Sequence, residues 1–399
     1  CFSIVAALIT FLGANTSISK IDKFAEEFGG GTSDSEGDDE DGKRTQGQPI
    51  DWKALFEQNT DDDFKIGIQL NPGKGKGNGS DKGVQLRLYS DFYLADIIVA
   101  SPLGLRLLAE SGKIQNFDFL SSLEIVTLYQ ADVMYMQNWD HVNFILQHCN
   151  KQPSEDHGTD FSRVKPYFLE GNAAQHRQLL IASRFICPEI HALFRTNGAS
   201  RAGILRVKDA TQEGVLELVT SRVQQIFQRV AVSSFREQFE TRFAHFTTNI
   251  LEPILRIEQK RTLIVAPSYM DYVRIRNELI RREASAVFVC EYSRESEISR
   301  GRSRFFHGQR NIMLYSGRAH FFRRFKMRGA VHVIFYSLPE YEHFYPEIVN
   351  MSGLAGGSGE SVSCTVLFTK FEAAALERLL GTTRTQRIKE SNKSTFMFY

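Results

Sequence analysis

The chain has 399 residues, enough for two or three domains of ordinary size, which excludes a single small module. With 42% apolar and 24% charged residues, and only 10 prolines beside 31 phenylalanines, the composition is that of a folded protein and not of a long disordered one. Residues 1–63 contain 14 acids and 5 bases, a net charge of −9, and the remaining residues have a net charge of +10. The body of the chain is therefore basic.

The cysteines and the first apolar run restrict the class of protein further. The run from Phe2 to Gly13 is shorter than the ~20 residues that span a bilayer, and we interpret it as a buried helix. A start at Cys rather than Met leads us to expect further chain upstream. The five cysteines form no C-x-x-C pair, which indicates neither a zinc site nor a disulfide scaffold and favours a reducing compartment. They are Cys1, Cys149, Cys187, Cys290 and Cys364.

Two polar segments are predicted to be loops. The acidic block Asp34–Asp41 repels itself and is predicted to be a disordered, solvated insertion. The segment Gly73–Gly83 (GKGKGNGSDKG) contains no G-x-x-x-x-G-K-[ST] sequence, so it cannot wrap a nucleotide phosphate as a P-loop does. It lies between two alternating runs, Lys65–Leu70 and Val84–Leu88, and is predicted to be the mobile loop of a hairpin.

Short apolar runs then alternate with segments of helical spacing. Such runs, separated by helices, indicate parallel strands covered on both faces. The sequence therefore predicts an α/β protein with two successive domains. Residues 222–259 have the spacing of long helices that lead into the second domain. The predicted strands are Asp96–Ala100, Leu123–Leu128, Gln178–Ser183, Thr262–Ala266, Ala286–Cys290, Asn311–Tyr315, Val331–Phe335 and Val362–Phe368.

The order of these landmarks resembles the two RecA-like lobes of superfamily-two RNA helicases. Ser101 and Pro102 of ASPLG stand where T-P-G-R follows a strand, and Ser183 stands where S-A-T falls. The tetrapeptide YQAD, which comprises Tyr129, Gln130, Ala131 and Asp132, takes the place of D-E-A-D. In the second half TLIVAPS, NIMLYSGRAHF and VHVIFYSLP resemble the corresponding helicase segments.

The resemblance implies two tandem RecA-like domains with parallel sheets, the first incomplete at its N-terminus. It divides the chain into a partial N-terminal segment with the acidic insertion (1–50), a first domain with degenerate motifs (51–197), a linker (198–233) and a second domain (234–399).

Longer strings resemble a narrower family. NTDDDF, LYSDFYLADIIVASPLGLR, QADVMYMQNWDHV, DFSRVKPY, EYSRESEISRGRSRFFHG and FYPEIVNM are similar to the digestive organ expansion factor family, nucleolar pseudo-helicases associated with U3 small nucleolar RNA. The resemblance implies a component of the small-subunit processome in the nucleus and nucleolus, needed to mature 18S ribosomal RNA. Its implied partners are pre-ribosomal RNA, the U3 particle and other processome proteins, with no membrane and no cofactor.

The residues at the catalytic positions do not suit ATP hydrolysis. In D-E-A-D the aspartate holds Mg²⁺ and the glutamate polarises the attacking water. Tyr129 and Gln130 stand there instead, and a phenol is a poor Mg²⁺ ligand while an amide cannot act as a base. The chain contains no P-loop, and FYPEIVNMSG (344–353) has no arginine where a finger is expected. We therefore predict that the protein is not an enzyme.

The other candidates for chemistry have structural explanations. Asp132 alone, at the end of a strand, is interpreted as a helix cap. His141 and His148, with Cys149 adjacent, could face one side of a helix as metal ligands, but no fourth ligand is near in the sequence. We therefore predict no metal site.

The segment between Arg294 and Arg328 is the candidate binding region. It contains ten basic residues and only two acids, Glu295 and Glu297, for a net charge of +8. Arginines bind phosphate through two hydrogen bonds, and exposed aromatic rings stack on unpaired bases. Interleaved with the bases are Phe305, Phe306, Tyr315, Phe321, Phe322 and Phe325. The candidate RNA-binding residues are Arg294, Arg300, Arg302, Arg304, Arg310, Arg318, Arg323, Arg324 and Arg328.

Arg300, Arg302 and Arg304 alternate with small residues and are predicted to face solvent most fully. In the alternative, all the phenylalanines are core and some arginines pair with acids of the first lobe.

Three functions are compatible with these patterns. The favoured one is a non-catalytic helicase-like scaffold that binds pre-ribosomal RNA and processome proteins. The second is an RNA-dependent ATPase whose P-loop lies upstream of Cys1. The third is a protein-interaction platform whose basic stretch meets acidic partners.

Overall fold

The computed structural model describes residues 1–13, 16–29, 47–56, 62–72, 83–110, 117–208, 210–256, 261–353 and 362–399. They form two compact units, Cys1–Leu205 and Arg206–Tyr399. The acidic block at 34–41 and residues 73–82 of the glycine-rich segment lie outside the described residues, so the two loop predictions stay predictions. Within the described ranges, no helix combines the length and the apolarity needed to cross a bilayer.

The first unit combines short strands with mostly short helices. Its strands are β1 (Ser17–Ser19), β2 (Lys65–Pro72), β3 (Val84–Leu88), β4 (Ile97–Ala100), β5 (Ile125–Tyr129) and β6 (Gln178–Ala182). Its helices are α1 (Phe2–Leu12), α2 (Ile21–Phe28), α3 (Ile50–Phe56), α4 (Pro102–Glu110), α5 (Ala131–Met136), α6 (Trp139–His148), α7 (Pro166–Leu169), α8 (Ala173–His176) and α9 (Pro188–Asn197).

Two separate sheets organise the first unit. One has the order β1-β3-β2-β4, in which β2 runs antiparallel to both β3 and β4, so the predicted hairpin pairing is confirmed. The other is the parallel pair β5-β6. The three predicted strands of this half therefore do not join into one parallel sheet. An apolar run shows that a strand is buried but does not fix the direction of its neighbours.

The second unit is built on a larger sheet. Its strands are β7 (Val223–Arg229), β8 (Thr262–Ala266), β9 (Ala286–Val289), β10 (Ile312–Ser316), β11 (His332–Phe335), β12 (Val362–Phe368) and β13 (Thr395–Phe398). Its helices are α10 (Gln238–His245), α11 (Glu252–Arg256), α12 (Tyr269–Arg281), α13 (Glu295–Phe306), α14 (Gly317–Arg323), α15 (Phe344–Gly353), α16 (Ala373–Leu380) and α17 (Thr382–Glu390). A π-helical turn, Phe246–Leu251, joins α10 to α11.

The sheet order is β13-β7-β12-β11-β8-β10-β9, and every pair is parallel except β13 with β7. All five residues of β8 and all five of β10 are buried, as expected for strands covered by helices on both faces. Ile264 and Leu314 pack with Phe246 and Tyr272 in the core beside these strands. The predicted α/β fold class is confirmed.

Two local predictions are wrong. The run from Phe2 does form α1, but only Val5 is fully buried and Phe11 is 87% exposed, so the helix is not a buried one. The helical interpretation of 222–259 fails for β7, where Val223, Gln225 and Phe227 alternate inward with a period of two.

The unit boundary also differs from the predicted domain limits. The division falls at 205/206, and β7 belongs to the second sheet although it lies inside the linker predicted at 198–233. At the other end, β1 pairs with β3, so residues 17–19 are part of the first unit and do not form a segment of their own.

Candidate nucleic-acid interface

The YQAD segment and the segment after β6 lie together, because β5 and β6 are parallel neighbours with Tyr129 beside Ala182. Asp132 is buried, and its Oδ1 accepts a hydrogen bond from the backbone N–H of Arg184 at 3.2 Å. The carboxylate therefore ties YQAD to the segment that starts at Ser183. The interpretation of Asp132 as a helix cap is wrong, because the N-cap residue of α5 is Gln130 and Asp132 lies within the first turn of the helix.

The two residues before it are exposed. Tyr129 is 48% exposed at the end of β5. Gln130 has a left-handed backbone, with φ of +57°, where α5 begins, and Ala131 is buried behind it. Neither Tyr129 nor Gln130 offers a carboxylate, and the carboxylate that follows them is the buried one of Asp132.

Ser101 and Pro102 form the start of α4. The Ser101 hydroxyl accepts a hydrogen bond from the Gly104 N–H at 2.9 Å and donates to the Asp62 carbonyl. Pro102 is the first helical residue, where its fixed φ is favourable. β4 lies in a different sheet from β5 and β6, so the ASPLG segment is not brought beside YQAD by strand pairing.

The two candidate histidine ligands of α6 already have protein contacts. The ring nitrogens of His141 lie 3.1 Å from the Arg106 guanidinium and 3.0 Å from the Asn138 amide. Burial and the Arg106 charge lower the pKa of His141. His148 contacts the Phe144 carbonyl at 2.7 Å. These contacts support the structural interpretation of both side chains.

The most buried arginine of the basic stretch, Arg324, belongs to an ion network. It donates to Glu347 Oε2 at 2.8 Å and lies 3.1 Å from His343 Nε2. His320, fully buried, lies 3.0 Å from the same Glu347 oxygen and 3.1 Å from the Tyr315 hydroxyl. Burial alone would raise the pKa of Glu347, but His320, Arg324 and His343 outweigh it and lower the pKa. Arg324 is therefore a core residue and not available to phosphate.

Three more arginines have contacts inside the second unit. Arg318 pairs with Glu291 at 3.4 Å, and Arg323 pairs with Glu295 at 3.3 Å. Arg302 donates to the Lys326 carbonyl at 2.7 Å, and burial lowers the pKa of its guanidinium. The prediction that Arg302 is among the most solvent-facing residues is wrong. Its side chain reaches from α13 to the segment that follows α14. Alternation with small residues could not predict exposure here, because a period of two is not the period of a helix.

The remaining cations of the stretch are accessible. Arg294, Arg300, Arg304, Lys326 and Arg328 are exposed, and Arg310 is half-buried. Of the interleaved aromatic rings, Phe305, Tyr315 and Phe321 are core residues, Phe322 and Phe325 are half-buried, and Phe306 is 45% exposed. The stretch thus separates into buried structural residues and a smaller exposed set, of which only Phe306 is a well-exposed ring.

Sequence reasoning missed Glu347, Glu291 and Arg261. Glu347 lies within FYPEIVNMSG, a segment that the sequence analysis considered only for its lack of an arginine. Arg261 stands outside the basic stretch in the sequence, yet its guanidinium donates to the Phe306 carbonyl at 2.9 Å. Only the strand order brings these segments together, so no local pattern could have identified them.

Arg302 and Arg304, two residues apart on α13, should respond differently to substitution. Arg302→Ala is expected to lower the free energy of unfolding by about 1.5 kcal/mol, because a charged hydrogen bond and side-chain packing are both lost. Arg304→Ala should change it by no more than ~0.5 kcal/mol, since the side chain is exposed. Urea unfolding of the two variants checks this, and equal stabilities would contradict the placement of Arg302.

The chain is thus an α/β protein of two compact units. Two family models match the chain: "UTP25, NTP hydrolase-like domain" over residues 1–205, and "Utp25, C-terminal domain" over residues 215–398. The chain belongs to the Utp25 family, and the family resemblance drawn from the sequence is confirmed.

Similar proteins occur in animals and plants. The chain is 36% identical over 398 residues to "U3 small nucleolar RNA-associated protein 25 homolog" of Xenopus tropicalis, covering 99% of this chain and 50% of that protein. It is 36% identical to "Protein NUCLEOLAR FACTOR 1" of Arabidopsis thaliana, covering 100% and 52%. It is 35% identical to the Homo sapiens homolog of the U3-associated protein, covering 88% and 45%. The chain thus spans about half the length of these relatives.

Solved structures with partial similarity include a "hypothetical ATP-dependent RNA helicase" of Sulfolobus tokodaii and a DEAD box protein of Methanococcus jannaschii. The first is 19% identical with a TM-score of 0.30, covering 70% of this chain and 66% of that one. The second is 16% identical with a TM-score of 0.31, covering 74% and 64%. Scores this low add nothing to the fold described above.

Proposed function

We propose that this chain is part of a non-catalytic component of the small-subunit processome, which binds pre-ribosomal RNA or ribonucleoprotein and is needed to mature 18S ribosomal RNA. The names of the relatives, which refer to U3 small nucleolar RNA and to the nucleolus, support this role. The expected location is the nucleolus, and the expected partners are the U3 particle and other processome proteins.

The observation that carries the non-catalytic part is Gln130. The amide stands at the end of β5, where hydrolysis would need a carboxylate, and the nearest acid, Asp132, is buried and bonded to the Arg184 backbone. In the second unit, α15 presents Glu347 to Arg324 where the helicase resemblance would place an arginine finger. Both positions support the proposal, because neither an amide nor a carboxylate paired with Arg324 can do the work that the helicase resemblance would assign to that position.

The RNA-binding part is supported by the accessible cations. Arg300 and Arg304 are exposed one turn apart on α13, and Lys326 and Arg328 are exposed on the segment that follows α14. These side chains can neutralise phosphates without disturbing the core, since phosphate contacts position a nucleic acid but do not read its sequence.

The test is ATP turnover by the full-length protein, with and without RNA. We expect no RNA-stimulated hydrolysis above the background of the preparation. Asp132→Asn is the matched control, because its amide oxygen can still accept the Arg184 N–H and preserve the fold. Stimulated turnover that Asp132→Asn abolishes would contradict the proposal and favour an ATPase whose P-loop lies elsewhere in the protein.

A further inference from the structure

The N-terminal ends of three central strands bring cations from distant segments together. β10, β8 and β11 are parallel neighbours. At their starts, the Thr262 N–H donates to the Asn311 carbonyl at 2.8 Å, and the Val331 N–H donates to the Arg261 carbonyl at 2.9 Å. Arg261, Arg310 and Arg328, which precede these strands, therefore lie at one edge of the sheet.

Helix α13 ends at the same edge. The Arg261 guanidinium donates to the carbonyl of Phe306, the last residue of α13, which also places a cation at the negative end of the helix dipole. Arg304 lies in the last turn of α13, and its carbonyl accepts the Gln309 N–H at 2.9 Å in the turn toward β10. Lys326 lies beside these residues because its backbone carbonyl accepts a hydrogen bond from Arg302, which is also on α13. We call this surface the basic edge: Arg261, Arg304, Phe306, Arg310, Lys326 and Arg328.

The acids of the stretch lie at the other end of α13. Glu295 and Glu297 are in its first turn. Glu291, which follows β9, pairs with Arg318, and Glu295 pairs with Arg323. Two cations beside the carboxyl ends of the strands, Arg318 and Arg323, are thus paired with acids. The two acids of the stretch lie at the end of α13 that is remote from the basic edge.

One aromatic ring stands among these cations. Phe306 is 45% exposed, and a Cβ placed on Gly329 would lie 3.1 Å from its ring, so the ring lies close beside the backbone of the segment that precedes β11. Gly329 has a φ of +95°, which glycine tolerates and other residues rarely adopt. An exposed ring among guanidinium and ammonium groups is an arrangement that can stack an unpaired base while the phosphates of the strand are neutralised.

We propose that the basic edge binds single-stranded RNA, with Arg304, Lys326 and Arg328 on the phosphates and Phe306 stacked on a base. The proposal rests on the RNA-binding part of the proposed function and assigns it to a definite surface. Open α/β sheets ordinarily bind their ligands at the carboxyl ends of the strands. The basic edge lies at the opposite, N-terminal ends. An unpaired strand is favoured over a duplex because base pairing would hide the face that Phe306 needs.

The first measurement is the salt dependence of affinity for a 20-nucleotide single-stranded RNA, made on the full-length protein. In the triple variant Arg304→Gln, Lys326→Gln and Arg328→Gln, the slope of log affinity against log salt should shrink by about 2, since each phosphate contact on a single strand contributes ~0.7. The control removes three exposed cations of the C-terminal region, Arg387→Gln, Lys389→Gln and Lys393→Gln. It should leave the slope unchanged, and equal slopes in the two triple variants would overturn the proposal.

The second measurement uses Phe306→Leu. Loss of one stacked base should weaken binding of the single-stranded RNA about fivefold or more without changing the salt slope, and should affect an RNA duplex much less. Equal losses for strand and duplex would overturn the stacking assignment. If the full-length protein bound polyglutamate through the basic edge but did not bind RNA, an acidic protein would be the partner and the proposal would fail.

These failures are distinguishable from failure of the proposed function. Equal salt slopes in the two triple variants would place the RNA site away from the basic edge but would leave a non-catalytic processome role intact. RNA-stimulated ATP turnover would contradict the non-catalytic role without bearing on the basic edge.

Discussion

Replacing Glu347 by alanine is expected to lower the free energy of unfolding by about 3 kcal/mol. The substitution leaves Arg324, which is 5% exposed, and the fully buried His320 without the carboxylate oxygen that both contact. Removing one partner of a buried ion pair costs about 3 to 5 kcal/mol, and the lower value applies because Glu347 is partly accessible. Urea unfolding measures the change. Glu297→Ala, an exposed acid on α13, serves as the control and should stay within ~0.5 kcal/mol.

The Glu347 contribution should also depend on pH. Its pKa in the folded protein is below the ordinary value of 4.5, so the unfolded chain binds more protons between the two values. The stabilisation is therefore complete above pH ~4.5 and is lost as the pH falls through the folded pKa. The difference in stability between the natural protein and Glu347→Gln should shrink as the pH is lowered from 6 toward 3. A constant difference would contradict the ion network.

Gly104→Ala is expected to destabilise the first unit by about 1 to 3 kcal/mol. A Cβ there would lie 2.4 Å from the Asp63 carbonyl oxygen and 2.7 Å from that of Phe64, and both obstacles are backbone atoms of the segment that leads into β2. Overpacking of this kind forces α4 away from that segment. Replacing glycine by alanine within an unobstructed helix raises the free energy of unfolding by about 1 kcal/mol. A decrease for Gly104→Ala would therefore reflect the clash and not helix propensity.

Thermal unfolding of Gly104→Ala beside Ser299→Ala tests this. Ser299 is an exposed position of α13, and its replacement should raise stability slightly or leave it unchanged. If Gly104→Ala were as stable as the natural protein, the contact between ASPLG and the segment before β2 would be looser than the structure indicates.

The strands of the second unit could be predicted from the sequence because the signal is local. Thr262–Ala266 and Val362–Phe368 are apolar runs whose observed bounds equal the predicted ones. Direction and partner are not local properties. The run ending at Ala100 therefore looked like another parallel strand, although it lies antiparallel to β2. The same limit applies to β7, whose apolar residues fit a period of two or 3.6 until its neighbours β12 and β13 are known.

The candidate interface could be predicted only in part for the same reason. The excess of positive charge between Arg294 and Arg328 is visible in the sequence. The acid that pairs with the buried Arg324 is Glu347, which lies outside this stretch. Whether a given arginine is core or surface depends on such distant partners. Arg261 likewise joins the basic edge only because β8 lies between β10 and β11.

Ultraviolet crosslinking of the full-length protein in growing cells, with identification of both the RNA and the crosslinked peptide, tests the central claim most directly. The claim is that a family member with replaced catalytic residues binds pre-ribosomal RNA through the second unit. The account predicts pre-ribosomal RNA joined to peptides from residues 294–330, with Phe306 among the attachment sites. Crosslinks confined to other parts of the protein, or no RNA recovered above an uncrosslinked control, would contradict it.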